Sequence, residues 1–145
     1  MDGHENNEQV WQRVFARQEV PLGEDLRGLQ MAVMERMVAY RTLAGKLTGK
    51  PKELVLQLHE GEQRTLAALK GVAQLSGRGG EVLKPWNSQR EQPAKMLEKC
   101  YHKTRRGMTE YMARSAEPEF GVVFQKLAQR AGEHCAILAE VLGMM

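Results

Sequence analysis

Four stretches of this chain set apolar side chains at alternating steps of three and four, the repeat of an amphipathic helix with one buried face. The first runs from about Glu24 to Thr48 and turns Leu26, Leu29, Val33, Met37, Tyr40, Leu43 and Leu47 inward. The second, from about Pro51 to Ser76, points Val55, Leu58, Glu62, Thr65, Leu69 and Val72 the same way. A third, from about Ala94 to Ser115, does so with Leu97, Tyr101, Thr104, Met108 and Tyr111. The last, ending near Leu142, uses Phe124, Leu127, Ala131, His134, Leu138 and Val141. Glu24 and Asp25 suit a helix start, Gly49 with Pro51 ends the first helix, Gly77 ends the second, and SAEPEF turns the chain between the last two. Ahead of Pro21 and Gly23, EQVWQRVFARQ gives a short amphipathic helix carrying Val10, Trp11, Val14 and Phe15.

The connections choose the topology. Two or three residues separate the first helix from the second, and a short turn separates the third from the fourth, so each pair is an antiparallel hairpin. The hairpins are joined by GRGGEVLKPWNSQREQP, which has no sustained periodicity. A structureless stretch of that length usually travels: about 17 extended residues reach ~55 Å, against ~36 Å for a 24-residue helix. The predicted fold is all-α: a four-helix bundle of ferritin-like topology at 21–145, with one long crossover, preceded by a polar tail and short helix at 1–20.

Composition fits this picture. Apolar residues make up 42%, aromatics only 6%, and there are nine methionines, a palette for helix packing rather than for sheet. A net charge of +3 is too small for a dedicated nucleic-acid binder. Neither a signal pattern nor a membrane-length apolar run is present, and two cysteines are too few for a disulfide framework, so the expectation is a soluble cytoplasmic protein.

The inward stripes carry a few polar side chains. In an antiparallel hairpin, residues equidistant from the turn share a height, which puts Thr104 level with Ala131, and Val33 level with Thr65 and near Glu62. Glu62 and His134 are expected to meet in the core with the Thr65 and Thr104 hydroxyls nearby, the alternative being Glu62 turned to Arg36 or to solvent. Tyr40 and Tyr111 are expected to pack inward with their hydroxyls bonded to the same layer. Cys100 and Cys135 fall at one height, as two small core side chains or as a redox pair. Glu35, Glu60 and Glu133 belong to solvated faces. Lys95, Lys99, Lys103 and Arg106, with His102 and Arg105 beside them, form a basic ridge without the aromatics that stack on bases. GRGG lacks the preceding strand of a phosphate loop, and Trp86 suits an anchor for the crossover.

EGEQRTLAALKGVAQLSG resembles the second helix of the ferritin-like, rubrerythrin-type bacterial proteins, and TRRGMTEYMARSAEPEFGVVFQKLAQRAGEHCAIL resembles their third and fourth. VMERMVAY stands where their first helix carries a Glu seven residues before a Tyr. The likeness spans roughly residues 24 to 143. It implies a di-metal centre with one Glu from each of two helices and a Glu-x-x-His pair from each of the others. Those positions hold Val33, Glu62 with Thr65, Thr104, and Ala131 with His134, so only Glu62 and His134 keep ligand types. Four carboxylates answer two divalent ions; one does not. The resemblance therefore implies a non-catalytic bundle that has lost its di-iron site and serves a structural or protein-interaction role. No cofactor is expected, and the polar layer of Glu62, His134, Thr65, Thr104, Tyr40 and Tyr111 is vestigial. A homodimer is implied by the family, and a protein partner by the Trp11/Phe15 segment; membrane and nucleic acid are not expected. Two alternatives stay open. One is an oxygen- or peroxide-handling metalloprotein with iron or manganese on Glu62 and His134, and the other is a small-molecule binder using the vacated core.

Overall fold

The computed structural model describes residues 22–77, 84 and 91–145, with the side chains of 22–25 excepted. The Trp11/Phe15 segment, residues 78–80 of GRGG and Trp86 lie outside them. Four helices are present among the described residues: α1 (Leu22–Lys46), α2 (Gly49–Leu75), α3 (Pro93–Arg114) and α4 (Gly121–Gly143).

The helix boundaries follow local chemistry. Only Leu47 and Thr48 separate α1 from α2. Gly49 takes φ +65°, the left-handed backbone that glycine adopts without a Cβ penalty, and this reverses the chain. Pro51 sits in the first turn of α2, which begins two residues earlier than the sequence suggested, and there an N–H has no helical acceptor in any case. Pro93 begins α3 for the same reason. Between α3 and α4 the turn closes so tightly that a Cβ on Gly121 would lie 2.4 Å from the Ser115 carbonyl oxygen. Glycine is therefore required there.

Two apolar clusters give the directions of the helices. One gathers Leu26, Leu29 and Val33 of α1, Leu69 and Val72 of α2, Tyr111 of α3, and Phe124, Leu127 and Ala131 of α4. The other gathers Tyr40 and Leu43 of α1, Leu54, Val55 and Leu58 of α2, Met96, Leu97 and Cys100 of α3, and Leu138 and Val141 of α4. The start of α1 thus lies beside the end of α2, the end of α3 and the start of α4. Hence α2 and α3 run parallel, and the link between them joins opposite ends of the bundle. In cross-section α1 packs on α2 and α3, and α4 packs on those same two helices. This is the predicted four-helix bundle of two hairpins and one long crossover. Each fully buried Leu or Phe of the clusters contributes on the order of 1.5–3 kcal/mol, and Phe124 adds a stack on Tyr111 with centroids 6.5 Å apart.

Two inward stripes differ from the sequence expectation. On α1 the fully buried line is Leu26, Leu29, Val33, Arg36, Tyr40 and Leu43, while Met37 and Leu47 are only partly buried. On α3 it is Met96, Leu97, Cys100, Thr104, Gly107 and Tyr111, with Tyr101 and Met108 flanking. Arg36 and Gly107 hold core positions that apolar patterning assigned to their neighbours.

A candidate polar core centred on Glu62

Between the two clusters the helices contribute polar side chains at one height: Arg36 from α1, Glu62 and Thr65 from α2, Thr104 from α3 and His134 from α4, all buried. Glu62 is the hub. Arg36 Nε donates to its Oε1 and Arg36 Nη2 to its Oε2, both at 3.2 Å, a two-pronged guanidinium–carboxylate pair with each partner almost wholly enclosed. His134 Nδ1 lies 3.2 Å from the same Oε1. An ionised carboxylate only accepts, so Nδ1 carries the proton of that bond, and Nε2 holds the lone pair when the ring is neutral.

The far edge of the imidazole rests on bare backbone. A Cβ built on Gly61 would stand 2.3 Å from His134 Nε2 and 2.6 Å from Cε1. The ring fills the space where a side chain at 61 would begin. Gly107 lies beside the guanidinium: a Cβ there would meet Arg36 Nη1 at 4.0 Å and Tyr111 Cε2 at 3.9 Å, both ordinary contacts.

The electrostatics of the layer are nearly closed. Burial alone would raise the carboxyl of Glu62, but the charge of Arg36 and the hydrogen bonds from His134 and Arg36 outweigh it and hold it below its usual range. Burial likewise works against the Arg36 charge, yet Glu62 keeps the guanidinium ionised with its pKa above the ordinary value. One cation and one anion cancel. Burial lifts the Tyr111 hydroxyl to about 12, against the pull of the adjacent Arg36, and lifts Tyr40 well above 10.0.

These shifts give a pH dependence. Glu62 binds its proton at lower pH in the folded chain than in the unfolded one, whose value is near 4.5. Its contribution to stability is complete above that value and is lost as the pH falls toward the folded one. Urea unfolding followed between about pH 6 and pH 3 is expected to lose stability more steeply in the parent than in Glu62→Gln. Parallel curves would show that this carboxylate is not stabilised by its partners.

The expected positions are recovered in part. Glu62 and His134 do meet, and Val33, Thr104 and Ala131 do face inward. Thr65 and Thr104 lie in the same buried layer, but their hydroxyls do not bond its hub. Thr65 Oγ1 donates to the Gly61 carbonyl and accepts from Arg130 Nη1, both at 3.2 Å, so it bonds neither Glu62 nor His134. The Thr104 and Tyr40 hydroxyls are buried and bond neither Glu62 nor His134. The hub is completed instead by Arg36, whose guanidinium donates to both carboxylate oxygens while His134 shares one of them. Sequence reasoning offered Arg36 and His134 as competing partners of Glu62, whereas the carboxylate binds both. The signal for Arg36 was its place three after Val33 and four before Tyr40.

Elsewhere, Glu60 and Glu133 are exposed, and Glu35 is half-buried, 3.9 Å from Lys103. Cys100 and Cys135 are free thiols, and burial raises both, Cys100 to about 11, which leaves them protonated and weakly nucleophilic at neutral pH.

The residues present do not suit a di-metal centre of the kind the sequence resemblance implies. The single carboxylate of the layer is already bonded at both oxygens to a guanidinium, and a second cation beside Arg36 would meet repulsion at low dielectric. Among the described residues no three His, Cys, Asp or Glu side chains converge as a ligand set. Comparison with protein families, curated proteins and solved structures finds no match to this chain.

Proposed function

We propose that this chain is a non-catalytic bundle of the ferritin-like type in which the Arg36 guanidinium supplies the positive charge that metal ions supply in the working members, and that its role is structural or one of protein interaction. The two-pronged Arg36–Glu62 pair carries this reading, because it neutralises the one carboxylate of the layer from within the chain. His134 completes the hub rather than acting as a base: its proton-bearing nitrogen faces Glu62, and the other rests on Gly61. The reading includes a cytoplasmic location and self-association into a homodimer. Among the described residues no helix is long and apolar enough to cross a membrane.

Metal analysis of protein purified without chelator tests it. Iron and manganese are expected far below one ion per chain. Near-stoichiometric metal that is lost in Glu62→Ala would instead establish an oxygen- or peroxide-handling metalloprotein. A constructive variant sharpens the test: Val33→Glu, Thr65→His, Thr104→Glu and Ala131→Glu together restore the ligand types. They are expected to bind divalent metal only when Arg36→Leu is added. Metal binding with Arg36 intact would remove the guanidinium from the explanation.

A further inference from the structure

α3 packs on α1 and α4 through Met96, Leu97, Cys100, Thr104, Gly107 and Tyr111, which leaves its opposite side to solvent. That helix carries six cationic side chains and two glutamates, a net charge of +4, while the whole chain carries +3. The excess charge of the protein therefore resides on this one element. Lys95, Lys99, His102 and Arg106 are exposed and follow one another at steps of four, three and four. They form a stripe about 16 Å long at 1.5 Å per residue. Lys103 and Arg105, also exposed, flank it.

The stripe already holds carboxylates from its own chain. Lys99 Nζ donates to Glu91 Oε1, and Lys103 Nζ lies 3.9 Å from Glu35 Oε2. The Glu91 carboxyl is held below its usual range, first by the hydrogen bond from Lys99 and then by the charges of Lys99, Lys95 and Lys103. A carboxylate set against this face thus feels three lysines together. The groups that would favour other polyanions are not on it. Tyr101 is half-buried and set edge-on to His102, with centroids 5.5 Å apart, so it offers no open face to a base. The exposed large apolar side chains lie elsewhere, with none between Lys95 and Arg106 to enter a bilayer.

We propose that the outward face of α3 docks an acidic helical segment of a partner protein, whose carboxylates, repeating at three- and four-residue steps, lie along the stripe of Lys95, Lys99, His102 and Arg106, with Lys103 and Arg105 at its flanks. Helix against helix matches the two repeats, and the ion pairs give orientation and association rate more than tight affinity. This assignment rests on the interaction reading above and names the chemistry of the partner.

The test uses the full chain and a fluorescein-labelled 18-residue peptide with Glu at alternating three- and four-residue steps in an Ala/Gln background. Anisotropy at about 50 mM salt is expected to show binding that fades at about 300 mM. Lys95→Glu/Arg106→Glu is expected to weaken it by roughly tenfold or more, and Lys95→Gln/Arg106→Gln by less. Lys50→Glu/Lys70→Glu on α2, with the same change in net charge, is expected to alter it by under about twofold. Equal weakening by the α2 control, or no binding of the peptide, overturns the proposal. So does a 20-base-pair duplex that binds more tightly and depends on the same two residues, since the face would then serve nucleic acid. Stoichiometric metal in the purified chain would defeat the non-catalytic reading while leaving this binding result to be judged separately.

Discussion

Arg36→Met is expected to lower the unfolding free energy by about 3–5 kcal/mol, because it strands an ionised carboxylate in the middle of the bundle. Glu62→Leu should cost a similar amount by stranding the guanidinium. The two losses do not add. In Arg36→Met/Glu62→Leu neither charge remains to be desolvated, and the double variant should be about 2–3 kcal/mol more stable than the sum of the singles implies. His134 keeps it short of full recovery, since its Nδ1–H loses an acceptor at a cost of about 1–3 kcal/mol. Urea denaturation of all four proteins at one pH reads this directly. Thermal midpoints should fall on the order of 10–20 °C in each single variant. In Arg36→Met, burial also acts on Glu62 unopposed, and its carboxyl should take up a proton at higher pH than in the parent. Additive losses would mean that the two side chains do not share a bond in solution, and the charge-replacement account would fail with them.

The second large effect comes from the smallest substitution. Gly to Ala within a helix usually gains about 0.5–1 kcal/mol in backbone entropy. Gly61→Ala should instead lose roughly 2–4 kcal/mol. Its Cβ would stand 2.3 Å from His134 Nε2, so either α2 and α4 part or the ring swings away from Glu62. His134→Ala in the Gly61→Ala background removes the clash, and the double variant should be more stable than Gly61→Ala alone. Hydrogen exchange on α2 and α4 would show which way the strain is relieved. A Gly61→Ala protein as stable as the parent, with the Glu62–His134 bond intact by NMR, would show that the imidazole does not occupy this space.

How much of this was legible beforehand differs between positions for physical reasons. Val33, Thr104, Glu62 and His134 are placed inward by their three- and four-residue spacing, and Glu62 is expected to meet His134 because buried charged groups are seldom left without a partner. The first rests on the fixed rise and turn of a helix, and the second on the cost of burying a charge without a partner. Arg36 and Gly107 fit the same spacing but were passed over for Met37 and Met108. An apolar pattern has no means of ranking a guanidinium or a missing side chain as core. Arg36 is core because its guanidinium bonds Glu62, and Gly107 is core because it lies beside that guanidinium and the Tyr111 ring. The bonding of the Thr65 and Thr104 hydroxyls is equally beyond a periodic pattern. Which acceptor a hydroxyl reaches depends on rotamers settled by its neighbours, and the Thr65 hydroxyl bonds the Gly61 carbonyl of its own helix.

The chain by itself determined four helices, their pairing into hairpins and a crossover spanning the bundle, since periodicity, turn residues and loop length are local or nearly local properties. Only the tertiary structure decided what balances the buried carboxylate. Three groups from α1, α2 and α4, far apart in sequence, had to be brought within bonding distance before one charge could be seen to cancel another. At low dielectric that cancellation, rather than the identity of any single residue, sets what the core can hold.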